Sequence, residues 1–222
     1  AEVYEVASFY HHFDIVKEGQ EPPQDITVRV CESISCQLAG SEQLFRELDT
    51  SLGDTVRLQR VPCVGRCDEA PVAVVVQNPI RRANATEVSR AVDKKNTQID
   101  PPRGTINLET YKAGGGYETV SKCFHGKLTL ESVLGTMEAS GLRGLGGAGF
   151  PAGQKWRIVG EYPAPRLLTV NIDEGEPGTF KDRYYLERDP HRFLEGLLIS
   201  CWATKIDEVY IYVRDEYPGC LQ

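Results

Sequence analysis

The sequence predicts an α/β protein built from two units, and two observations support this. Over residues 1–95, helical and strand patterns alternate as helix–strand–helix–strand–strand–helix. After a stretch rich in glycine, proline and charge, residues 96–127, the alternation resumes as helix, strand, helix and strand. The chain of 222 residues is long enough for one large or two small domains. We therefore expect a first domain over residues 1–95, a linker over 96–127 and a second domain over 128–222.

The composition excludes several classes of protein. The chain is 41% hydrophobic and 26% charged, and its net charge of −7 without a basic run argues against a nucleic-acid partner. No apolar run approaches the ~20 residues of a membrane span, and no secretory signal opens the chain. The seven cysteines are an odd number, whereas a secreted disulfide scaffold normally has an even one. The cysteines therefore indicate a reducing cytosol, where clustered thiols usually serve metals or catalysis.

The elements of the first domain follow from apolar spacing. AEVYEVASFYHHF has a helical pattern, and ITVRV alternates as a half-buried strand does. Apolar residues then recur at helical spacing from Leu44 to Leu52, and Gly53 follows as a stop signal. TVRLQRV predicts a second strand, PVAVVV a third strand buried on both faces, and NATEVSRAVDKK a helix capped by Asn84 or Thr86.

The adjoining histidines His11 and His12 lie in the opening helical pattern. Neighbours on a helix diverge by about 100°. We therefore expect two surface or boundary histidines that do not easily share one ligand site.

The second domain begins with the helical pattern LTLESVLGTMEASG and a glycine-dense loop, GLRGLGGAGFPAGQKW. RLLTVNIDEGEPGTFKDR then predicts a strand ending in an acidic turn, HRFLEGLLISCWATK an apolar helix, and EVYIYV a strand. Cys201 in the apolar helix is expected to be a packed core thiol. Because the chain opens directly in a helical pattern and stops just after a strand, we expect a fragment, or the ordered part of a longer chain.

Four cysteines form two close pairs in the predicted turns of the first domain. Their spacing is C-x4-C, then 26 residues, then C-x3-C, and they are Cys31, Cys36, Cys63 and Cys67. Two pairs from two turns suit a [2Fe–2S] cluster, in which each iron takes two thiolates. Structural zinc more often uses C-x2-C pairs, and a thioredoxin-type dithiol needs a C-x-x-C that is absent. Zinc, buried free thiols and incidental disulfides remain alternatives at this point.

The glycine-dense loop is a candidate phosphate site. It satisfies G-x-G-x-x-G with Gly144, Gly146 and Gly149. A helix rather than a strand precedes it, so it is not an ordinary Rossmann site. Backbone without β-carbons can still approach a phosphate closely, and Lys155 could add a positive charge. A mobile linker is the alternative, but Phe150 and Trp156 are unusual in one. The loop therefore favours a nucleotide or flavin phosphate.

The acidic turn carries an amide and three carboxylates within six residues: Asn171, Asp173, Glu174 and Glu176. It follows a strand end, where α/β folds place their ligands. Carboxylates accept hydrogen bonds from ribose hydroxyls or flavin N–H groups. A divalent metal or a solvated acidic turn remains possible, but three acids repel one another unless something organises them.

At these motifs the sequence resembles a known family. GLRGLGGAGFPAGQKW and NIDEGEPGTFKDR resemble the flavin-binding subunit of complex I-type NADH dehydrogenases, which also occurs in NAD-linked hydrogenases and formate dehydrogenases. EVYEVASFY and the cysteine segments resemble the thioredoxin-like [2Fe–2S] subunit of those enzymes. The resemblance implies a thioredoxin-like [2Fe–2S] ferredoxin domain followed by the start of a complex I-type FMN-binding α/β domain. HFDIVKEG, KAGGGYET and DPHRFLEG most resemble the fused β subunit of soluble molybdenum- or tungsten-dependent formate dehydrogenase.

The resemblance also implies roles for individual residues. The cluster ligands would be Cys31, Cys36, Cys63 and Cys67, and the FMN phosphate would be held by Gly144, Gly146, Gly147 and Lys155. Asn171 and Asp173 would bind the flavin, and Phe150 would stack near adenine. Glu174 and Glu176 would face the flavin and the nicotinamide nucleotide, with Glu174 as the catalytic candidate.

The implied activity is electron exchange between NAD(H) and iron–sulfur clusters through FMN. The implied partner is a molybdenum or tungsten formate dehydrogenase catalytic subunit, or other complex I-type subunits. A [4Fe–4S] cluster is expected in the second half of the family pattern, beyond this sequence. A non-catalytic [2Fe–2S] electron-transfer module is the rival interpretation.

Overall fold

The computed structural model describes residues 2–221, and these fall into two units. Within the described residues, the first unit comprises residues 2–101, 174–181 and 215–221. The second unit comprises Pro102–Asp173 and Asp182–Arg214. Both contain helices and strands, which confirms the α/β class. The domain boundaries drawn from the sequence stay a prediction.

The first unit is a four-stranded sheet with helices packed against it. Its strands are β1 (Ile26–Cys31), β2 (Val56–Val61), β3 (Ala73–Val75) and β4 (Asn78–Ile80). Its helices are α1 (Glu2–Phe9), α2 (Ile34–Leu38), α3 (Ser41–Ser51) and α4 (Ala85–Asp93), with a 3-10 turn at Cys67–Glu69. The sheet order is β2-β1-β3-β4, with β1 parallel to β2 and the other pairs antiparallel.

The core of the first unit lies where the sequence places its apolar residues. Val28, Leu48 and Val88 are fully buried, from β1, α3 and α4. Asn84 caps α4, because its side chain accepts a 3.0 Å hydrogen bond from the Glu87 N–H. The predicted opening helix, first two strands and capped helix are therefore confirmed.

The predicted third strand differs from the structure. PVAVVV was expected as one strand buried on both faces, but β3 covers only Ala73–Val75 and its burial alternates. Val76 takes a φ of +61°, and the chain turns there into β4. A run of valines gives no periodic signal for this turn, because nothing in it marks where the backbone reverses.

The second unit has eight elements within the described residues. They are α5 (Leu108–Ala113), α6 (Glu118–Phe124), α7 (Leu130–Ala139), α8 (Ala152–Glu161), β5 (Leu167–Ile172), α9 (Lys181–Arg188), α10 (Pro190–Thr204) and β6 (Glu208–Val213). The strands β5 and β6 pair in parallel, from Leu167 opposite Glu208 to Ile172 opposite Val213. Parallel strands need a long crossover, which α9 and α10 supply. A last short helix, α11 (Pro218–Leu221), belongs to the first unit.

Residues 96–127 contain the helices α5 and α6, although the sequence suggested only a linker. The reason is a buried carboxylate, Glu195 on α10, which is 9% exposed. It accepts hydrogen bonds from the Tyr111 hydroxyl at 2.6 Å, the Tyr117 N–H at 2.9 Å and the Val120 N–H at 3.4 Å. These hydrogen bonds hold α5 and α6 in place, although the sequence of residues 96–127 lacks the apolar periodicity of a packed helix.

The same network shifts two pKa values. Burial alone would raise the pKa of Glu195, but the hydrogen bonds from Tyr111, Tyr117 and Val120 hold it below its usual range. Burial and the adjacent Glu195 carboxylate raise the pKa of Tyr111 to about 12. Glu195 is therefore an ionised group that folding stabilises.

The positions of His11 and His12 differ from the expectation that both lie on the opening helix and do not share one ligand site. Helix α1 ends at Phe9, so the two histidines follow it in a turn, and their ring centroids lie 3.9 Å apart. One ligand atom each from His11, His12 and Glu216 lie within 4.8 Å of one another. Arg29 and Arg66 also line the cavity beside them, and their charges oppose a bound cation. We assign no metal to this group.

No helix within residues 2–221 combines the length and the apolar character that a bilayer crossing requires.

We predict that Glu195→Gln lowers the free energy of unfolding by about 1–3 kcal/mol, because an amide cannot accept all three hydrogen bonds. The native pKa of Glu195 is depressed, so its contribution is present above the unfolded pKa of about 4.3 and is lost as pH falls through the native pKa. Chemical denaturation between about pH 7 and pH 3 measures both effects.

Glu161→Gln is the matched control, because Glu161 is exposed at the end of α8. It should unfold like the wild type at every pH. A Glu195→Gln protein with the wild-type unfolding midpoint at neutral pH would contradict the anchoring role of this carboxylate.

Candidate functional site

The four paired cysteines converge in the first unit. Cys31 ends β1 and Cys36 lies on α2, while Cys63 and Cys67 follow β2. The Cys63 and Cys67 sulfurs lie 3.4 Å apart. The Cys31 sulfur is within hydrogen-bonding reach of both Cys36 and Cys63. The structure therefore brings together all four residues that the sequence spacing paired.

The pairing of β1 with β2 explains the convergence. The strands are parallel, and Cys31 lies opposite Val61, two residues before Cys63. Parallel strands end at the same edge of a sheet, so the turns after β1 and β2 leave side by side. Each turn then supplies two thiols.

The thiols form no disulfides and are mostly buried. The structure contains no disulfide among the described cysteines, and Cys31, Cys36 and Cys63 are buried while Cys67 is half-exposed. Contact with Cys31 and burial raise the pKa of Cys63, whereas the hydrogen bond from Cys31 lowers the pKa of Cys36. The two pKa values shift in opposite directions because neighbouring sulfurs share protons.

The donor set fits a [2Fe–2S] cluster. Neighbouring sulfurs lie at hydrogen-bonding distance, Cys31 from Cys36 and Cys63, and Cys63 from Cys67, and a metal would replace the protons that they share. Two pairs of thiolates from two turns match the two irons of such a cluster. Four thiolates are also a common ligand set for structural zinc, so the ligand type alone does not distinguish them.

Backbone N–H groups also face the sulfurs, as the small residues in these turns suggested. The Gly65 N–H lies 3.4 Å from the Cys63 sulfur, and the Ser33 N–H donates to Cys31. Gly65 has a φ of +67°, and a β-carbon there would come within 2.3 Å of the Tyr217 ring. Both its backbone conformation and this close contact therefore require glycine at position 65.

The acidic turn contributes to the first unit as well. Glu174 is 4% exposed, accepting a 3.0 Å hydrogen bond from the Tyr217 hydroxyl and pairing with Lys181 at 3.3 Å. Glu176 is exposed, and its carbonyl accepts the Thr179 N–H at 3.0 Å. Partners therefore organise Glu174, while the Glu176 side chain faces solvent.

Asn171 and Asp173 lie at the end of β5 in the second unit. Both are exposed, and the Asp173 N–H donates to the Asn171 side-chain oxygen at 2.9 Å. Ile172 between them is buried, as alternation along a strand requires. The polar side chains therefore project from the strand end, as the sequence predicts.

The glycine loop of the second unit is a closed turn before α8. The Gly144 N–H donates to the Phe150 carbonyl at 2.9 Å, and Arg143 donates to the Gly149 carbonyl at 2.9 Å. Gly147 has a φ of +113° and Gly149 a φ of +61°. A β-carbon on Gly146 or Gly147 would meet nothing within 4 Å, so open space lies beside the backbone.

The side chains around this loop suit an anionic ligand. Lys155 is exposed in the first turns of α8, and Phe150 is 45% exposed just before that helix. Backbone N–H groups at a helix start and a lysine together attract phosphate. The described residues here therefore fit the phosphate of a flavin.

Close packing fixes the direction of α8. A β-carbon on Gly153 would come within 2.6 Å of the Glu138 backbone nitrogen on α7. Arg157 on α8 also pairs with Glu131 at 2.9 Å and Glu138 at 3.0 Å. These contacts hold the start of α8, and therefore Lys155, in one orientation.

Sequence reasoning missed Tyr217 and Gly178. Tyr217 is fully buried and bonds to Glu174, and the Gly178 N–H donates to the Cys67 sulfur at 3.0 Å. Both contacts join residues far apart in the chain. Spacing and periodicity report only local relationships, so neither contact had a signal in the sequence.

Comparison with known families supports both the cysteine site and the candidate flavin site. Residues 1–96 match the thioredoxin-like [2Fe–2S] ferredoxin family, and residues 137–222 match the Nuo51 FMN-binding domain. The four cysteines lie in the first match. The glycine loop, Lys155 and the acidic turn lie in the second.

Curated relatives cover one or both halves. An NADH-quinone oxidoreductase subunit of Rhizobium meliloti is 48% identical over 125 residues, covering 56% of this chain and 29% of its own length. The alpha subunit of the NAD-reducing hydrogenase HoxS of Cupriavidus necator is 29% identical over 248 residues, covering 97% of this chain and 40% of its own. The chain thus spans less than half the length of these relatives.

A solved structure is similar to this chain over nearly all of its length. The crystal structure of an air-oxidised NAD+-reducing [NiFe]-hydrogenase matches 99% of this chain and 42% of its own, with a TM-score of 0.76 and 28% identity. The chain therefore combines a thioredoxin-like [2Fe–2S] ferredoxin domain with a region of a Nuo51 FMN-binding domain.

Proposed function

We propose that this chain is the electron-transfer part of an NAD(H)-linked oxidoreductase subunit that carries FMN and a [2Fe–2S] cluster. The observation that supports it best is the convergence of four thiols from two turns, in a domain followed by the glycine loop. The relatives named above are NADH-quinone oxidoreductase and NAD-reducing hydrogenase subunits.

Each group of residues has a distinct task in this proposal. The four cysteines hold the cluster, and the open backbone at Gly146 and Gly147 binds the flavin phosphate together with Gly144 and Lys155. When bound, FMN supplies the conversion between the two-electron chemistry of NAD(H) and the one-electron chemistry of iron.

The polar groups after β5 orient the ring systems. Asn171 and Asp173 accept hydrogen bonds from the flavin. Glu174 and Glu176 face the flavin and the nicotinamide nucleotide, and Phe150 stacks near adenine. Tyr217 and Lys181 bind the two carboxylate oxygens of Glu174 and so fix the position of this carboxylate.

The finer proposal is the β subunit of an NAD-linked formate dehydrogenase. It rests on HFDIVKEG, KAGGGYET and DPHRFLEG, the segments that most resemble that subunit. A molybdenum or tungsten catalytic subunit would then supply electrons, and a [4Fe–4S] cluster would lie in the same pathway. Thiols outside any disulfide suit a reducing cytosol, which is the proposed location.

A hydrogenase flavoprotein subunit is the second candidate, and one observation favours it. The hydrogenase relative matches 97% of this chain, with both domains in one polypeptide. The Rhizobium meliloti relative matches 56% of the chain. Purification of the native complex separates the candidates: molybdenum or tungsten with formate-dependent NAD+ reduction supports the first, and nickel with hydrogen-dependent reduction supports the second. NADH-dependent quinone reduction would support a complex I-type subunit.

A non-catalytic electron-transfer module is the third candidate. Flavin analysis and an NADH–ferricyanide assay of the assembled complex test it, because a module without flavin contains the cluster but cannot oxidise NADH. Bound FMN with NADH-dependent ferricyanide reduction would exclude it.

We predict that Cys36→Ser abolishes the [2Fe–2S] electron paramagnetic resonance (EPR) signal of the reduced complex, because one iron loses a thiolate. Iron and acid-labile sulfide should fall by one cluster per complex. Cys201→Ala is the matched control, because Cys201 lies on α10 in the second unit and does not belong to the four paired cysteines. Loss of the signal in the control, or its retention in Cys36→Ser, would contradict this ligand assignment.

We predict that Lys155→Ala weakens FMN binding by about 10- to 100-fold, because a charge-assisted hydrogen bond to phosphate contributes about 1.5–3 kcal/mol. Fluorescence titration of the deflavinated complex with FMN measures the dissociation constant. Lys127→Ala removes another exposed lysine from the second unit and should bind FMN like the wild type. Equal affinities in the two variants would place the phosphate elsewhere.

A further inference from the structure

The segment Glu174–Lys181, which we name the acidic loop, belongs to the first unit together with the cysteines. Its Gly178 N–H donates a hydrogen bond to the Cys67 sulfur at 3.0 Å. Cys67 is half-exposed, whereas the other three paired cysteines are buried. The acidic loop therefore contacts the one sulfur that the cysteine turns leave partly open.

This hydrogen bond depends on a glycine. Gly178 has a φ of +94°, a backbone conformation that side chains other than glycine rarely adopt. A β-carbon on Gly178 would meet nothing within 4 Å. Glycine is therefore required there by the direction of the backbone, and not by a lack of space.

Two further contacts hold the acidic loop in place. Thr179 donates both its N–H, at 3.0 Å, and its hydroxyl, at 2.5 Å, to the Glu176 carbonyl, which closes the turn that contains Gly178. Tyr217 donates to Glu174 at 3.0 Å while its ring covers Gly65 in the cysteine turn. The Gly178 N–H is thus presented to Cys67 by a loop fixed at both ends.

We propose that the acidic loop tunes the [2Fe–2S] cluster, with the Gly178 N–H raising its reduction potential through the hydrogen bond to Cys67. A donor to a ligand sulfur stabilises negative charge, and the reduced cluster carries one more negative charge than the oxidised cluster. The inference rests on the proposed function, since it requires a cluster at the four cysteines. It adds a task for the acidic loop besides holding carboxylates for the flavin.

The test is a redox titration of the assembled complex carrying Gly178→Ala, followed by the EPR signal of the [2Fe–2S] cluster. Alanine disfavours positive φ, so the N–H turns away from Cys67. At a fixed solution potential, the ratio of reduced to oxidised cluster should fall about tenfold, equal to about 59 mV for a one-electron couple.

Gly175→Ala is the matched control. Gly175 lies in the same loop, also meets nothing within 4 Å of an added β-carbon, and does not have a positive φ. It should titrate like the wild type. Gly178→Asn is the second variant, because asparagine tolerates positive φ better than alanine. Its potential should lie between those of the wild type and Gly178→Ala.

The outcomes separate this inference from the proposed function. A normal [2Fe–2S] signal whose potential is the same in Gly178→Ala, Gly178→Asn and the wild type would overturn the inference alone. A wild-type complex without any [2Fe–2S] signal would overturn the proposed function, and the inference with it. The order wild type and Gly175→Ala, then Gly178→Asn, then Gly178→Ala, from high to low potential, would support it.

Discussion

The parallel pairing of β1 with β2 is the constraint on which the cysteine site depends. It places Cys31 opposite Val61 and sends two turns off the same edge of the sheet. Each turn contributes two thiols, and burial keeps most of them from solvent. A shift of one residue in this register would turn the strand side chains to the opposite faces of the sheet, so the core of Val28 and Val30 stabilises the register and the site together.

Backbone donors, rather than charged side chains, surround the sulfurs. Each sulfur accepts one backbone N–H: Cys31 from Ser33, Cys36 from Val72, Cys63 from Gly65 and Cys67 from Gly178. Neutral donors stabilise thiolate charge without the desolvation cost of a buried cation. Two of the four donors, Gly65 and Gly178, are glycines at positive φ, a backbone conformation that residues with a side chain rarely adopt. The backbone donors to Cys63 and Cys67 therefore depend on glycines, whereas those to Cys31 and Cys36 do not.

The sequence reveals this site to the extent that its information is local. The spacing of the four cysteines, the Asn84 cap and the strand that ends at Ile172 all depend on neighbours in the chain. The sequence did not predict the helices α5 and α6, because the residue that holds them, Glu195, lies more than 70 residues further along the chain. The roles of Tyr217 and Gly178 were not predicted for the same reason, since each residue bonds to a partner that is distant in the chain. Long-range polar contacts leave no period in a sequence.

Diffraction from crystals of the assembled complex tests the central claim most directly, with data collected at the iron and zinc absorption edges. The account predicts iron density for a two-iron group between the sulfurs of Cys31, Cys36, Cys63 and Cys67, with two sulfurs bound to each iron. A single zinc ion at the same place, or four sulfurs with no metal between them, would contradict it.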